Sequence, residues 1–459
     1  MSEFYEPTSV AVVGGGWAGC AAAVTLAQAG LRVTLFEQAR ILGGRARRIG
    51  LDGLAVDNGQ HLLLGAYRQT LDLIATVHGT ERAGALFRRM PLTMAPFGTR
   101  RAHAAMFAAW RAPAPFHLLG GFLAARGLSW RERWALIAGF RGVERAGYQC
   151  PPSQTVDDCF AATPRRAMDA LWAPLCLAAL NTPPERASAQ LFANVLRGIF
   201  TGRAADSHLL LPVTDLSALF PDAAMRYIEA RGGTVHIGAT VRGVTPSAEN
   251  VIVNTNVSRD RFTAAIIAVG PHQLATTVEH GSADAEPWRS ALNDIAAFVY
   301  ESITTVYLAY AAAIALPAPF ARLDDAPGQW LFDRSPALLP PGSNAAQSLL
   351  AVVISANGPH DTLGQAALAA AVDAQLRRLA PEMPKLLWWR VIAERRATYA
   401  CSPALRRPAA GRVAAGLYLA GDYTDADYPA TLEAATRSGA AAAGALLADF
   451  RASARLASG

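Results

Sequence analysis

Three glycines near the amino terminus have the spacing of a phosphate-binding turn. Gly14, Gly16 and Gly19 follow a short uncharged apolar run and precede an alanine-rich segment that extends to Gly30. In such a strand–turn–helix unit, the first glycine allows a tight turn, the second lets a pyrophosphate approach the backbone, and the third lets the helix pack closely on the strand. The N–H groups at the start of the helix then face the phosphates. The spacing therefore predicts a dinucleotide site.

An acidic residue follows at the distance that such a site requires. The next predicted strand, residues 32–36, ends at Glu37, close to the ~20 residues at which an acid holds a ribose hydroxyl. The glycine pattern also occurs in structural turns that bind nothing, so a strand–helix–strand unit without a ligand is the alternative. The agreement of strand, turn, helix and acid favours the dinucleotide site.

A second turn of this kind lies near the carboxyl terminus. A strand that starts at Gly416 ends at Gly421 and Asp422, where the glycine admits close backbone approach and the acid can bind hydroxyl groups. A helix is predicted to open at Pro429 and to continue to about Asp449, because proline suits a first helical turn. Two such turns at opposite ends of the chain favour one shared cofactor site.

A group of polar side chains lies between apolar segments after the first turn. Asp57, Gln60 and His61 are flanked by apolar residues on both sides. As a group they predict a polar corner that reaches a pocket. The alternative is a loop in which a buried aspartate bonds to the backbone.

Composition indicates a globular protein with a large apolar interior. The chain has 459 residues, of which 52% are hydrophobic and 17% charged, enough for two or three lobes. Lys385 is the one lysine, so arginine carries the net charge of +6. No dense basic run indicates nucleic acid. Five scattered cysteines without C-x-x-C spacing indicate a reducing compartment and no zinc site. Because no basic-then-apolar segment opens the chain, we expect a cytoplasmic location.

The order of predicted elements indicates an α/β protein, α+β overall, with a discontinuous Rossmann-like cofactor domain. Its parts are residues 1–67, 205–290 and 405–459. Residues 68–204 lack the strand–helix alternation and predict a mostly helical insertion, whereas residues 291–404 predict a mixed-sheet domain that walls a substrate cavity. The elements predicted in that domain are strands at 300–310, 348–355 and 386–399 and a helix at 363–379. The uncharged run 302–321 is β-branched and aromatic, so it predicts a buried strand and not a membrane span.

The helical insertion has a composition that could suit a lipid surface. Its apolar stretches at 102–126 and 130–147 predict helices, and aromatic residues such as Trp110 and Phe116 are interleaved there with arginines such as Arg111. A surface of this kind could dock on a bilayer, so peripheral contact with the inner face of a membrane is one expectation. The alternative is a pair of helices whose apolar faces pack into the core.

Four segments together resemble the squalene-associated FAD-dependent desaturases, that is, the bacterial hydroxysqualene dehydroxylases, within the flavoprotein group of amine oxidases and phytoene desaturases. They are residues 13–19, the Gly-Gly-Arg turn in 42–47, residues 57–67 and residues 420–438. NAD enzymes have no reason to place a second Gly-Gly-Arg turn here, so the resemblance implies FAD. We expect it to be non-covalent, with a covalent link to Cys401 as the alternative. Ala434 departs from the group, in which glycine is frequent at that position.

The resemblance also implies which residues contact the cofactor. They are Gly14, Gly16, Trp17, Ala18, Glu37, Gln38, Gly43, Gly44, Arg45, Gln60, His61, Val241, Gly421, Asp422, Thr431 and Leu432.

The reaction implied by the resemblance is the reduction of hydroxysqualene, a C30 isoprenoid, to squalene with loss of water. An allylic hydroxyl that is protonated can leave, and the resulting cation can accept hydride from reduced flavin; the electron donor stays unidentified. Candidate proton donors are Asp57, His61, Tyr423 and Asp425, of which we favour Asp57 with His61. The alternatives are a polyene desaturase, an amine oxidase and a non-catalytic carrier of prenyl lipids.

Overall fold

The computed structural model describes residues 9–51, 53–98, 106–247, 250–278, 288–316, 318–339 and 346–458. Its strands are β1 (Ser9–Val13), β2 (Arg32–Glu37), β3 (Arg48–Leu51), β4 (Leu54–Asp57), β5 (Leu63–Leu64), β6 (Phe87–Met90), β7 (Thr93–Met94), β8 (Phe107–Ala108), β9 (Leu209–Pro212), β10 (Thr234–Ile237), β11 (Val241–Pro246), β12 (Val251–Thr255), β13 (Arg259–Phe262), β14 (Ala264–Ile267), β15 (Tyr300–Tyr310), β16 (Phe320–Arg322), β17 (Trp330–Asp333), β18 (Ser348–Ser355), β19 (Leu386–Tyr399), β20 (Gly411–Ala414) and β21 (Leu417–Leu419). Its α-helices are α1 (Trp17–Gln28), α2 (Arg68–His78), α3 (Thr80–Ala85), α4 (Phe116–Leu123), α5 (Trp130–Arg145), α6 (Val156–Cys159), α7 (Arg165–Ala167), α8 (Ala173–Leu180), α9 (Ala189–Phe200), α10 (Leu216–Leu219), α11 (Pro221–Glu229), α12 (Pro271–Val278), α13 (Arg289–Ala296), α14 (Ser335–Leu338), α15 (Gln365–Leu379) and α16 (Leu432–Ser458).

The central sheet brings distant parts of the chain together. Among the described residues its order is β10–β2–β1–β14–β21–β20. Neighbouring strands are parallel except for the edge pair β20 and β21. Strands β1 and β14 lie inside the sheet and are almost completely buried, which explains the uncharged run before the first glycine turn. Because β1 and β21 are both parallel to β14, the two predicted glycine turns leave the same edge of the sheet.

The first and last helices pack together beside this sheet. A Cβ atom at Gly19 of α1 would lie 1.8 Å from the carbonyl oxygen of Gly14, and one at Gly439 of α16 would lie 2.1 Å from that of Ala18. Both distances are far below van der Waals contact, so only glycine lets the backbones approach this closely. Gly19 therefore has the helix-packing role that its place in the glycine pattern predicts.

The second sheet confirms the strands predicted between residues 291 and 404. Its order in the described part of the chain is β16–β17–β18–β15–β19, and α15 packs against β15 and β19. Of the uncharged run 302–321 predicted as a buried strand, residues 302–310 belong to β15, whose side chains are buried apart from those of Tyr300 and Ile303. The prediction is wrong for residues 311–316, which lie in no strand and are partly exposed; Pro317 lies outside the described residues. In the described ranges no helix has the length and apolar character needed to cross a membrane.

The insertion differs from its prediction at residues 102–126. Residues 99–105 lie outside the described part, β8 pairs with β7, and only α4 is helical. Pro113 and Pro115 explain the difference, because proline lacks the N–H that a helix interior requires. The second predicted helix is confirmed as α5, which begins with a capping box in which Ser129 and Glu132 bond to each other's backbone N–H groups.

Two helix boundaries also differ from the sequence-based expectation. Asp215 can cap a helix, and the segment that follows it predicts one helix as far as Ala230. The structure has two helices there, because the chain bends at Phe220 and α11 starts anew at Pro221. Asp215 caps the first of them, as predicted, by accepting a hydrogen bond from Ala218 N. The last helix begins at Leu432, three residues after the predicted opening, and continues beyond Asp449 to Ser458.

Candidate active site

One cavity of about 850 Å³ lies between the ends of the central strands and the second sheet. Gly14 and Gly16 of the first turn and Gly421 and Asp422 of the last turn line it together. Every residue that the sequence predicted to contact the cofactor lines this same cavity. The two ends of the chain therefore converge on one site.

The first glycine turn has the shape needed to hold a pyrophosphate. Gly14 has φ +103°, and a Cβ atom there would lie 2.6 Å from the carbonyl oxygen of Ala268. At Gly16, in contrast, a Cβ atom would meet only the Cα atom of Gly44, at 3.9 Å, so this position faces open space. A side chain at Gly16 would occupy room that a phosphate group can use. The turn and the start of α1 therefore fit a dinucleotide such as FAD.

Glu37 lies at the position expected for a ribose-binding acid. Its two carboxylate oxygens accept hydrogen bonds from Gly15 N and Ala39 N, both at 2.7 Å. These bonds fix the carboxylate at the end of β2, and each oxygen retains a second lone pair for a hydroxyl group. The side chain thus fits the predicted role.

Arg45 and Asp422 connect the two turns across the cavity. The guanidinium of Arg45 donates to Asp422 Oδ1 at 2.6 Å and to the carbonyl oxygen of Ala397 at 2.6 Å. A charge-assisted bond of this length fixes both side chains. Asp422 is therefore held in the cavity, where it can accept hydrogen bonds from the ribityl hydroxyls of a flavin.

His61 is the one predicted proton donor that lines the cavity. Burial lowers the pKa of the imidazole to about 4, and the charge of Arg45 acts in the same direction, although a contact with Gly59 opposes the shift. Nδ1 lies 3.3 Å from the carbonyl oxygen of Gly59. If Nδ1 carries the hydrogen of that bond, Nε2 is a hydrogen-bond acceptor. A ring that is neutral at neutral pH cannot deliver a proton as an imidazolium.

Asp57 does not line the cavity, although the sequence favoured it as a proton donor. It is buried, its Oδ1 accepts from Leu216 N at 2.8 Å, and its Oδ2 lies 3.4 Å from the guanidinium of Arg334. Burial raises the pKa of Asp57 to about 7, while Leu216 N–H and Arg334 oppose that shift. The carbonyl oxygen of Asp57 also accepts from the hydroxyl of Tyr307. These contacts correspond to the structural alternative, a buried aspartate bonded to the backbone.

The other two predicted donors also lie outside the cavity lining. Tyr423 is buried, its ring packs near Phe298, and within the described residues its hydroxyl has no hydrogen-bond partner. Asp425 accepts from two backbone N–H groups of its own loop and from Arg437, so its carboxylate shapes that loop. Cys401 is buried and does not line the cavity either.

Strand β19 supplies lining residues that the sequence reasoning missed. They are Ile392, Glu394, Arg396, Ala397 and Thr398. Glu394 pairs across the sheet with Ile303 of β15, which lines the cavity too. Its Oε2 lies 3.4 Å from Asn58 Nδ2 and its Oε1 lies 3.3 Å from Arg396 N. A strand places every second residue on the same face, so the predicted strand 386–399 already put residues 392, 394, 396 and 398 on one face. That alternation was the sequence feature from which these residues could have been predicted.

The location of Asp57 gives a first prediction. Replacing Asp57 by alanine will lower the free energy of unfolding by about 3–5 kcal/mol, because the buried guanidinium of Arg334 then keeps only its bonds to backbone carbonyls and loses its carboxylate partner. The matched control is Glu144→Ala, which breaks the exposed ion pair of Glu144 with Arg141. It will change the free energy of unfolding by less than about 1 kcal/mol. Chemical denaturation followed by circular dichroism measures both values. An Asp57→Ala protein that is as stable as the parent, binds flavin and is inactive would indicate that Asp57 acts in catalysis.

Comparison with known proteins adds evidence of relationship. A family model described as flavin containing amine oxidoreductase matches residues 17–447. The hydroxysqualene dehydroxylase of Rhodopseudomonas palustris is 29% identical over 412 residues, which cover 86% of this chain and 87% of that protein. The hydroxysqualene dehydroxylase of Sinorhizobium fredii is 29% identical over 286 residues, 59% of this chain and 63% of that protein.

A likeness to solved structures concerns the fold. The crystal structure of an oxidoreductase from Methanosarcina mazei matches with a TM-score of 0.70 at 14% identity, covering 96% of this chain and 99% of that one. The predicted fold class, an α/β cofactor-binding fold that is α+β overall, is confirmed. The second sheet differs from its prediction as a mixed sheet, because each of its described strand pairs is antiparallel.

Proposed function

The chain belongs to the flavin-containing amine oxidoreductase family, and on this premise we propose that it reduces hydroxysqualene to squalene with loss of water. Its cofactor is FAD, and it is an FAD-dependent oxidoreductase, as the sequence predicted. The two hydroxysqualene dehydroxylases that resemble it over much of its length support the choice of substrate. We also propose that residues 1–67, 205–290 and 405–459 form the FAD-binding domain, 68–204 the helical insertion and 291–404 the substrate domain.

The observation that carries this proposal is that one cavity has both a glycine-lined and an apolar wall. The glycine turns and Asp422 form the wall that fits a flavin dinucleotide. The apolar wall consists of Leu62, Tyr67, Ala178, Ala179, Ile303 and Ile392. A long hydrocarbon gains free energy by leaving water for such a wall. An allylic alcohol with an apolar chain can therefore lie beside the flavin.

Cleavage of the carbon–oxygen bond requires a proton on the leaving hydroxyl. Reduced FAD supplies the hydride. Among the described lining residues the carboxyl groups are Glu37, Asp422 and Glu394. Glu37 is engaged by two backbone N–H groups, and Asp422 by Arg45. Glu394 has only long contacts, so we propose that Glu394 donates the proton to the substrate oxygen.

His61 has a different part in this proposal. The neutral ring, with Nδ1 toward the carbonyl oxygen of Gly59, presents Nε2 as an acceptor for the hydroxyl hydrogen of the substrate. This bond orients the oxygen toward the acid and does not supply the proton. Loss of the bond should weaken catalysis less than loss of the proton donor.

The pH profile tests the role of His61. Because the pKa of His61 lies near 4, the ring is neutral throughout the neutral range and gains a proton only as the pH falls toward that value. We expect kcat/KM to show no change in slope near the ordinary histidine pKa of about 6.5. His61→Gln should lower kcat/KM about 2- to 10-fold without moving the profile, in line with the loss of one hydrogen bond between neutral groups, worth about 0.5–1.5 kcal/mol. A profile limb near pH 6.5 that disappears in His61→Gln would contradict this assignment.

The proposed reaction requires an external source of electrons. Each turnover consumes two electrons and two protons and yields squalene and water, so a separate electron donor must reduce the enzyme again.

Because a C30 alcohol dissolves in lipid far better than in water, we propose peripheral contact of the enzyme with the inner face of a membrane.

Product analysis tests the proposed function. Dithionite-reduced holoenzyme incubated anaerobically with hydroxysqualene in D₂O should yield squalene with a single deuterium, because the transferred flavin hydrogen exchanges with solvent; mass spectrometry detects it. In a parallel experiment, the oxidised holoenzyme is mixed with a polyene or an amine. Reduction of its flavin there, together with no squalene formation from hydroxysqualene, would instead support a desaturase or an amine oxidase. Protein that is colourless, takes up no FAD and binds prenyl lipid would support a carrier.

A further inference from the structure

Five large apolar side chains on or beside helices α4 and α5 of the insertion are exposed, and together they are here called the aromatic face. Its members, with their exposed fractions, are Trp110 (53%), Phe116 (63%), Leu119 (39%), Trp130 (63%) and Trp134 (58%). All nine tryptophans are in the described residues, and the three that are exposed all belong to this face. Tryptophan is enriched where proteins meet the interface of a bilayer.

The aromatic face is built on a fixed support. Helices α4 and α5 pack together, and Arg133 of α5 donates to the carbonyl oxygens of Leu123 and Leu128. Trp110 lies against Gly120, where a Cβ atom would come within 2.3 Å of its ring. Trp130 and Trp134 are one helical turn apart and therefore point in the same direction. Trp110 is thus fixed by its packing on α4, and the helix that carries Trp130 and Trp134 is fixed by the bonds of Arg133.

The charge around the aromatic face is positive. Residues 106–134 contain the arginines 111, 126, 131 and 133 and one acidic residue, Glu132. The carboxylate of Glu132 is engaged by the backbone and hydroxyl groups of Ser129. Arg111, Arg126 and Arg131 are exposed. Arginines around exposed tryptophans complement the negative surface of anionic lipids.

The same helical layer extends from the aromatic face to the cavity. Leu118 and Phe122 of α4 are buried, whereas Phe116 and Leu119 are exposed, and the ring of Phe122 lies 5.9 Å from that of Trp172. Trp172 directly precedes α8, whose residues 178 and 179 line the apolar wall of the cavity. The face and the cavity wall are therefore parts of one packed unit.

We propose that the aromatic face is a membrane-docking surface that seats the enzyme on an anionic bilayer. The rings enter the interfacial region, and the arginines contact lipid headgroups. The face belongs to the helical layer that forms one wall of the cavity, so docking places this layer at the membrane from which a lipid-soluble substrate comes. That last point rests on the proposed function, whereas docking itself requires no catalysis.

Vesicle binding tests the docking surface without substrate. FAD-loaded protein is sedimented with vesicles of phosphatidylglycerol and phosphatidylcholine, and with vesicles of phosphatidylcholine alone. We expect the partition coefficient for the anionic vesicles to fall at least about tenfold in Trp130→Ser/Trp134→Ser and in Arg126→Glu/Arg131→Glu, given the energies of interfacial side chains. High salt should weaken binding of the parent protein. The matched control is Val257→Ser/Leu456→Ser, two exposed apolar residues on other elements, which should bind like the parent.

Three results would overturn the docking surface. One is a parent protein that does not sediment with anionic vesicles, and another is equal binding by the face variants and the control. The third is a dimer on size exclusion that Trp130→Ser/Trp134→Ser converts to monomer, which would make the face a protein interface. Because the substitutions lie on exposed side chains, flavin absorbance and circular dichroism should match those of the parent. Squalene formation in detergent is measured separately, so failure of the proposed reaction and failure of docking are distinguishable.

Discussion

The Glu394→Gln variant will retain its FAD and lose dehydroxylation by about 10²- to 10⁴-fold, the usual contribution of a general acid. Glutamine keeps the size of the side chain and its contacts with Asn58 and Arg396, but it has no acidic proton to give. Glu394 lines the cavity beside Ile303, whereas the other lining carboxylates are engaged elsewhere. Single-turnover squalene formation by the reduced variant measures the loss.

Two comparisons separate this effect from a general disturbance. Glu382→Gln changes an exposed glutamate of the same part of the chain and should leave the rate unchanged. Glu394→Asp keeps an acid and should recover part of the activity. If Glu394→Gln forms squalene at the parental rate, the proton comes from another group and the assignment is wrong.

Gly16→Val will fold normally but bind FAD at least about 100-fold more weakly, which equals about 2.8 kcal/mol. Gly16 has φ −71° and ψ −179°, an extended conformation that any residue adopts, so valine adds no backbone strain. Its side chain enters the space beside Gly44 where the pyrophosphate must approach the backbone. The lost contacts are hydrogen bonds to a charged group, worth about 1.5–3 kcal/mol each. Titration of the apoprotein with FAD measures the affinity.

The matched control for this prediction is Gly50→Val. Gly50 lies in β3, and a Cβ atom there would meet no atom of the described residues within 4 Å, so the same substitution should leave FAD affinity unchanged. Gly14→Val should behave differently from Gly16→Val and Gly50→Val. Because Gly14 has φ +103° and a Cβ atom there would clash with Ala268, this substitution should lower the yield of folded protein. Parental FAD affinity in Gly16→Val would mean that the dinucleotide does not lie along this turn.

Local pattern was sufficient to predict the elements whose side chains are uniformly buried or regularly spaced. Strands β1, β15 and β18 are apolar runs whose burial on both faces leaves a clear signal. The glycine turns were predictable because each glycine meets a steric demand that other residues cannot meet, as at Gly14 and Gly19. The residues predicted to contact the cofactor followed from those turns and from the family resemblance, and they line the cavity.

The side chains proposed for catalysis were harder to predict because their positions depend on distant partners. Asp57 was favoured as a donor beside His61, yet Leu216 and Arg334, far away in sequence, hold its carboxylate outside the cavity lining. Likewise, Glu394 enters the cavity only because β19 pairs with β15. The contacts of Asp57 leave no local pattern around it. The alternation in β19 indicates a strand face but not that this face meets the cavity, so the sequence predicted lining residues of the two turns but not the acid that we propose.

The most direct test of the central claim is an anaerobic single turnover. Reduced holoenzyme is mixed with a small excess of hydroxysqualene, and the visible absorbance of oxidised flavin is followed while squalene is quantified at the same times. If the two terminal turns hold one flavin beside the apolar wall, flavin oxidation and squalene formation should share one rate, with one squalene per flavin oxidised. Flavin that stays reduced in the presence of hydroxysqualene, with no squalene formed, would contradict the account.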